Sequence, residues 1–157
     1  MKKKKEKPNI LITGSLGHIG SYLIHNKDFV KCFNQIYLID NLSAERYVSL
    51  FNLPKYGNFS FFNIDLPNHF VKMIVKKSDI VLHLAATTNA EASVNLKGKQ
   101  KKKNFLSTIE VANLCCKYNK KERCRYSSPL PLEKKLFLLV FDSAKLSDLH
   151  ILQKMKM

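Results

Sequence analysis

Short apolar runs alternate with stretches of helical spacing from about residue 9 to residue 120 of this chain. Four of the runs have the length and the β-branched or aromatic content of strands. These predicted strands cover residues 10–13, 35–40, 58–65 and 79–86. The segments between and after them carry apolar residues three and four positions apart, which predicts helices. The predicted helices cover residues 19–29, 44–53 (with Ser43 as a candidate N-cap), 67–77 and 91–119.

The apolar positions of two predicted helices are most regular. In the third helix they form one stripe, which consists of Phe70, Val71, Ile74 and Val75. In the last helix the positions with helix-compatible spacing are Phe105, Ile109, Ala112 and Cys116.

Strand and helix alternate four times at intervals of about 20 to 30 residues, which is typical of right-handed βαβ crossovers. We therefore expect an α/β fold, with a doubly wound parallel sheet and helices on both of its faces. The pattern supports this fold class through about residue 120. It predicts a basic flexible tail over residues 1–8, one domain over residues 9–120, and a divergent C-terminal segment over residues 121–157.

A glycine-rich stretch joins the first predicted strand to the first predicted helix. We expect Gly14 to permit a tight turn, Gly17 to let the backbone approach phosphate oxygens, and Gly20 to let the helix pack on the strand. The N–H groups and the dipole at the start of such a helix favour an anion. The loop therefore indicates a Rossmann-like pyrophosphate site, but three glycines alone are a weak signal.

Asp40 strengthens that interpretation because it ends the second predicted strand, 20 residues beyond Gly20. A carboxylate there can accept hydrogen bonds from both ribose hydroxyls of an adenosine half, and it repels a 2′-phosphate. We therefore expect NAD rather than NADP. The alternative is an aspartate that is merely exposed to solvent at a strand end.

The ends of the third and fourth strands supply further candidates. Asp65 is placed to meet an adenine amino group, although a helix N-cap before Pro67 is an alternative role. Leu84, Ala85 and Ala86 are small or apolar residues after the fourth strand. They would let the nicotinamide half pass close to the backbone, or they simply pack strand against helix.

The histidines carry weaker signals. His18 lies in the glycine loop and is expected to face solvent or to cap the helix. His83 alternates into either the sheet core or the cleft, and we favour a buried histidine with its hydrogen bonds satisfied. The remaining histidines share no metal-ligand spacing with one another or with cysteines, so we expect no metal site. No arrangement indicates a serine or cysteine nucleophile.

The size and composition limit the possible classes of protein. At 157 residues and 45% hydrophobic content, the chain suits one domain with a core. No apolar run approaches the roughly 20 residues that span a bilayer, and no hydrophobic segment precedes the first strand. The cysteines form no C-x-x-C pair. We therefore expect no membrane association, a cytoplasmic location and reduced thiols.

The net charge of +15 raises the question of nucleic acid. The positive residues are nearly all lysine, in runs at 2–5 and 101–103 with few aromatic residues between them. Base recognition favours arginine and single-strand binding favours stacked aromatics, so we expect no specific nucleic-acid partner. Lysine-rich faces exposed to solvent are the simpler explanation.

Taken together, these motifs resemble the NAD-dependent epimerase/dehydratase family, the branch of the extended short-chain dehydrogenases/reductases that acts on nucleotide sugars. The matching motifs are T-G-x-x-G-x-x-G at 13–20, I-D-N at 39–41, D-L at 65–66, H-L-A-A at 83–86 and N-F-L-S-T at 104–108. The resemblance covers about residues 10 to 120 and implies that Asn104 helps to shape the active site. The cofactor-binding residues that we expect are Gly14, Gly17, His18, Ile19, Gly20, Asp40, Asn41, Asp65, Leu66, Leu84, Ala85, Ala86 and Asn104.

Beyond residue 119 the resemblance fails. The family's fifth strand, hydroxyl cluster and V-Y-G do not follow; residues 121–129 are polar, and Pro129 falls near the position of the catalytic Ser or Thr. None of the six tyrosines is followed four residues later by lysine, so the family's Tyr-x-x-x-Lys acid/base pair is absent from this chain. We hypothesise a frameshift or gene decay after about residue 120. A neighbouring reading frame that encodes no V-Y-G or Tyr-x-x-x-Lys would contradict it.

The last segment has two interpretations. Residues 136–141 would supply a fifth strand and residues 144–155 a covering helix, or the segment is an exposed apolar stretch that destabilises the domain. We expect an NAD-binding domain that lacks catalytic residues, and a nucleotide-sugar partner only if a substrate domain is supplied elsewhere. The alternative is a non-catalytic dinucleotide-binding or scaffold module that pairs with a full-length relative, and homo-oligomers are compatible with both.

Overall fold

The computed structural model describes residues 7–86, 93–118 and 140–142 of the chain. Its strands are β1 (Asn9–Thr13), β2 (Gln35–Asp40), β3 (Phe59–Asn63), β4 (Ile80–His83) and β5 (Val140–Asp142). Its helices are α1 (His18–His25), α2 (Lys27–Val30), α3 (Val71–Lys77) and α4 (Ser93–Tyr118), and a 3₁₀ turn covers Tyr47–Leu50.

The strands form one sheet in the order β3-β2-β1-β4-β5. The first four strands are parallel, with Ile10 of β1 opposite Ile36 of β2 and Ile80 of β4. This confirms the predicted parallel sheet. β5 instead runs antiparallel to β4, so it is not added by another βαβ crossover. Since β1 to β4 are parallel, the loops at their carboxyl ends meet along one edge of the sheet.

Helices cover both faces of the sheet, as the alternation predicts. Successive residues of β1 point to opposite faces because the side-chain period of a strand is two. On one face Ile10 and Ile12 pack in a core that includes Leu23 and Ile24 of α1. On the other face Leu11 packs in a core built with α3 and α4. The residues from those two helices are Val71, Ile74, Val75, Val111 and Cys115.

The predicted helix over residues 19–29 is divided in two. Asn26 separates α1 from α2, and its side-chain Oδ1 accepts the backbone N–H groups of Asp28 and Phe29 at 3.0 Å each. A side chain that satisfies the N–H groups of a first turn caps a new helix. The apolar spacing therefore predicted one continuous helix, whereas Asn26 ends the first helix and its side chain caps a second one.

The predicted helix over residues 44–53 is wrong, and so is the N-cap role of Ser43. Only the 3₁₀ turn is present, and Arg46 precedes it without a side-chain cap. The Asn41 side chain accepts the N–H of Ser43 at 3.1 Å, and Leu42 and Glu45 have positive φ angles of 59° and 53°. Such local side-chain bonds to the backbone compete with helix formation.

The third helix starts four residues later than predicted, at Val71. The Asn68 side chain accepts the N–H of Phe70 at 2.9 Å in the preceding turn. Three members of the predicted stripe are buried, whereas Phe70 is 52% exposed. The stripe therefore starts with the helix itself.

The last helix matches its predicted span closely but buries other positions. Phe105, Ile109 and Cys116 are exposed, while Val111 and Cys115 are buried. The adjacent cysteines thus point in different directions, as expected on a helix. In the described part of the chain, no helix is both long and apolar enough to cross a membrane. The predicted strand over 136–141 overlaps β5 at residues 140–141 only; the rest of it, the predicted helix over 144–155 and Cys124 lie outside the described residues.

Candidate functional site

A cavity of about 330 Å³ opens at the edge of the sheet where β1 to β4 end. Its volume falls within the range of small-molecule pockets. Every residue expected to bind the cofactor lines this cavity. They are Gly14, Gly17, His18, Ile19, Gly20, Asp40, Asn41, Asp65, Leu66, Leu84, Ala85, Ala86 and Asn104.

Close backbone contacts require glycine at Gly14, in the loop after β1, and at Gly20, in the first turn of α1. Gly14 has φ +65°, and a Cβ there would lie 2.7 Å from the Cα of Ala85. A Cβ on Gly20 would lie 2.4 Å from the backbone oxygen of Ser15. Gly20 therefore lets α1 approach the loop that follows β1. Neither position accommodates a side chain without a shift of backbone.

Gly17 differs from these two glycines because its own backbone does not require glycine. A Cβ there would meet only the backbone oxygen of Gly14, at 3.2 Å. Gly17 is the N-cap of α1, and it has no side chain to accept the N–H groups of the first turn. Those N–H groups and the cavity lie at the same helix end, a combination that suits an anion.

Asp40 connects the glycine loop to the end of β2. Its Oδ2 accepts the N–H of Leu16 at 3.0 Å, and its Oδ1 accepts the N–H of Leu42 at 3.0 Å. A carboxylate has about four acceptor positions, so each oxygen can accept one more hydrogen bond. Asp40 therefore holds two loops in place and still offers acceptors to a ligand in the cavity.

Asp65 lies at the centre of a polar cluster beyond the end of β3. Its Oδ2 accepts from Lys103 Nζ at 2.7 Å, and its Oδ1 accepts from Asn41 Nδ2 at 2.9 Å and from the N–H of Leu66 at 3.1 Å. Partial burial acts to raise the pKa of Asp65, but these hydrogen bonds outweigh it and hold that pKa below its usual value. The alternative role as a helix N-cap is wrong, because α3 begins at Val71 with Phe70 as its N-cap.

Sequence reasoning missed two cationic side chains that line the cavity, Arg46 and Lys103. Arg46 follows β2 by six residues, and Lys103 reaches Asp65 from α4. The sequence offered one signal for Lys103, since it immediately precedes the motif residue Asn104. The other unexpected lining residues are Leu16, Ile39, Ser43, Ala44, Ile64 and Ser107.

His83 is buried behind the cavity, as expected for a histidine with satisfied hydrogen bonds. Its Nδ1 lies 2.7 Å from Thr13 Oγ1 and its Nε2 lies 3.3 Å from Thr108 Oγ1. Burial disfavours the charged imidazolium and lowers the pKa of His83 to about 4. His18 is the exposed first residue of α1. Across the described residues, no group of three or more His, Cys, Asp or Glu side chains is placed to hold a metal ion.

Comparison with known proteins links this geometry to one family. The model of the NAD dependent epimerase/dehydratase family matches residues 10–129. No curated protein sequence matches the chain. A solved structure of UDP-N-acetylglucosamine 4-epimerase from Methanobrevibacter ruminantium, in complex with UDP-N-acetylmuramic acid, shares the fold at 24% identity and a TM-score of 0.62.

Two further structures are similar. The epimerase Mth375 from Methanothermobacter thermautotrophicus is 28% identical with a TM-score of 0.58. The Bordetella bronchiseptica enzyme WbmG in complex with NAD is 21% identical with a TM-score of 0.56. The matches cover 85%, 70% and 75% of this chain but only 45%, 32% and 36% of the three structures, in the order given. The chain thus spans less than half the length of each of these proteins.

Proposed function

This chain belongs to the NAD dependent epimerase/dehydratase family, and we propose that it binds NAD in the cavity at the carboxyl ends of β1 to β4. The observation that carries the proposal is that every residue expected to bind the cofactor lines that one cavity. Motifs from four separate loops, which are far apart in sequence, line one space. When bound, NAD would supply hydride transfer to and from a sugar carbon.

We assign each part of the dinucleotide to a different group of residues that line the cavity. Gly17 and the start of α1 suit the pyrophosphate, because a small residue lies there beside first-turn N–H groups that the N-cap residue has no side chain to satisfy. The remaining acceptor positions of Asp40 suit the ribose hydroxyls. Asp65, held ionised by Lys103, suits a donor such as the adenine amino group. Ala85 and Ala86 leave room for the nicotinamide half.

We further propose that NAD is preferred over NADP. The charge of Asp40 opposes a 2′-phosphate on the ribose that it would hold. Arg46 lines the same cavity and acts in the opposite direction. Two backbone hydrogen bonds hold the Asp40 carboxylate in place, so a simple rotation of the side chain would not relieve its repulsion of a 2′-phosphate bound beside it.

We also propose that the chain does not convert nucleotide sugars by itself. Its sequence contains no Tyr-x-x-x-Lys, and the acid/base step of the family depends on that pair. Incubation of the chain with NAD and a UDP-sugar should therefore yield no epimerised or dehydrated product. Formation of product at a rate above a protein-free control would contradict this part of the proposal.

Calorimetric titration with NAD tests cofactor binding directly. The wild-type chain should bind, and Asp40→Ala should bind more weakly because it loses both the ribose acceptor and the anchor of the glycine loop. Asp28→Ala is the matched control, since Asp28 is an exposed aspartate in α2 outside the cavity. Absence of any heat of binding with the wild-type chain would contradict the proposal.

A second candidate function is a scaffold that pairs with another chain, including a full-length relative. The observation in its favour is a set of exposed apolar side chains on α3 and α4. The set consists of Met73, Phe105, Leu106 and Ile109, with Phe70 at the start of α3. The two helices contact each other, and a patch of exposed apolar side chains on them would suit a protein partner. Sedimentation of the wild-type chain and of Phe105→Asp should then show association only for the wild type.

A further inference from the structure

His83 lies at the end of β4, between β1 and α4, and is only 2% exposed. It is not among the residues that line the cavity. Both of its ring nitrogens lie near a threonine hydroxyl, Thr13 on one side and Thr108 on the other. The His83 side chain therefore connects β1 to α4 without lining the cavity itself. None of the proposed contacts with NAD involves it.

The direction of each hydrogen bond in this group follows from the hydroxyl protons. Thr108 Oγ1 donates its proton to the backbone oxygen of Asn104, at 2.8 Å. A hydroxyl has one proton, so Thr108 Oγ1 can only accept from His83. The Nε2 of His83 must then carry a proton, and in a neutral ring its Nδ1 is left as an acceptor.

The other end of the group is equally constrained. Since Nδ1 of His83 accepts, Thr13 Oγ1 must donate to it across 2.7 Å. Thr13 Oγ1 in turn accepts the backbone N–H of Ala85 at 3.4 Å. All four hydrogen bonds thus point the same way, from Ala85 through Thr13, His83 and Thr108 to Asn104.

The two ends of this series both line the cavity. Ala85 follows β4 and lies so close to Gly14 that a side chain there would clash with its backbone. Asn104 lies on α4. We propose that His83, as the neutral tautomer protonated at Nε2, is a positioning residue that fixes Ala85 and Asn104 relative to each other for cofactor binding. The inference rests on the proposed binding of NAD in that cavity.

A neutral ring is required for the series to hold. An imidazolium donates from both nitrogens, so its Nδ1 proton would meet the proton of Thr13, and the hydrogen bond between Thr13 and His83 would have to reverse. Burial supplies the neutral form, because it lowers the pKa of His83 to about 4. An apolar residue of similar size would leave the buried hydroxyl of Thr13 and the half-buried hydroxyl of Thr108 without this partner.

Thr108→Val and Thr108→Ser test the proposal as a matched pair. Valine keeps the volume of threonine but removes the hydroxyl, whereas serine keeps the hydroxyl. Thr108→Val loses the hydrogen bonds to both His83 and Asn104, and we expect it to weaken NAD binding by about three- to tenfold. Thr108→Ser should bind within about twofold of the wild type. Equal affinities of the valine variant and the wild type would overturn the proposal.

Nitrogen NMR of the histidine rings gives a second measurement that does not need NAD. The wild-type chain at pH 7 should show His83 protonated at Nε2, and Thr108→Val should shift both the ring signals and the amide signal of Ala85. A ring protonated at Nδ1 in the wild type would overturn the proposal. Failure of the wild type to bind NAD would instead contradict the proposed function. In that case the NMR measurement of the His83 tautomer would still test the direction of the hydrogen bonds.

Discussion

The carboxylate of Asp40 accepts the backbone N–H of Leu16 at 3.0 Å, across 24 residues of sequence. This contact ties the glycine loop after β1 to the end of β2. The residue that the motif assigns to a ligand therefore also has a structural task. A substitution at Asp40 changes the charge in the cavity and the support of the loop together, so its effects need separate measurements.

The preference between NAD and NADP provides that separation. Asp40→Asn removes the charge and keeps one carbonyl acceptor, so we expect the ratio of NADP to NAD affinity to rise by about tenfold. Arg46→Ala should lower the same ratio, because it removes a cation from the cavity. Calorimetric titrations with each cofactor measure both ratios. An unchanged ratio in Asp40→Asn would show that Asp40 does not select against the 2′-phosphate.

Gly17 and Gly20 should respond differently to alanine. A Cβ at Gly20 would lie 2.4 Å from the Ser15 oxygen, so Gly20→Ala should lower the free energy of unfolding by about 2 kcal/mol or more. Gly17→Ala meets only one atom, at 3.2 Å, and should keep most of the stability while it weakens NAD binding. Denaturant unfolding and NAD titration of both variants test this. Wild-type NAD affinity in Gly17→Ala would rule out a phosphate at that position.

The stability of the chain should decrease in mild acid because of His83. Its pKa is lowered in the folded state from 6.5 to about 4, so the unfolded chain binds the proton more readily between these values. The contribution of His83 to the free energy of unfolding is therefore fully present above pH 6.5 and is lost as the pH falls toward 4. The loss amounts to about 3 kcal/mol, as an order of magnitude.

Urea unfolding at pH 7 and pH 4.5 measures this loss. His83→Gln is the control, because it keeps an amide donor and acceptor but does not titrate in that range. The wild type should lose more stability than the variant over the same interval. Equal losses would assign the acid sensitivity to other groups.

Lys103 should control the ionisation of Asp65. Lys103→Gln removes the 2.7 Å ion pair. The pKa of Asp65 should then rise, because partial burial raises it and the hydrogen bond and charge of Lys103 no longer lower it. Carboxyl NMR titration of the wild type and the variant measures that pKa. Lys117→Gln, an exposed lysine in the last turn of α4, is the control. The same Asp65 pKa in all three proteins would contradict the role of Lys103.

Much of the fold could be predicted because its signals are local. β2 was predicted with the bounds that the structure gives it, since its apolar run is bounded by polar residues on both sides. A helix was predicted over residues 44–53 but is absent, because side-chain bonds from Asn41 and Asp40 to nearby N–H groups outweigh a weak helical pattern. The buried side of α4 was likewise set by contacts with α3 and β4 rather than by its own spacing.

By itself the sequence determined the order of strands and helices, the glycine loop and the set of motif residues, because each depends on neighbours in the chain. Only the tertiary structure decided that Lys103 pairs with Asp65, that Arg46 enters the cavity and that His83 links Thr13 to Thr108. Those contacts join residues of separate elements, and no local pattern encodes which side chains meet when parallel strands bring distant loops to one edge.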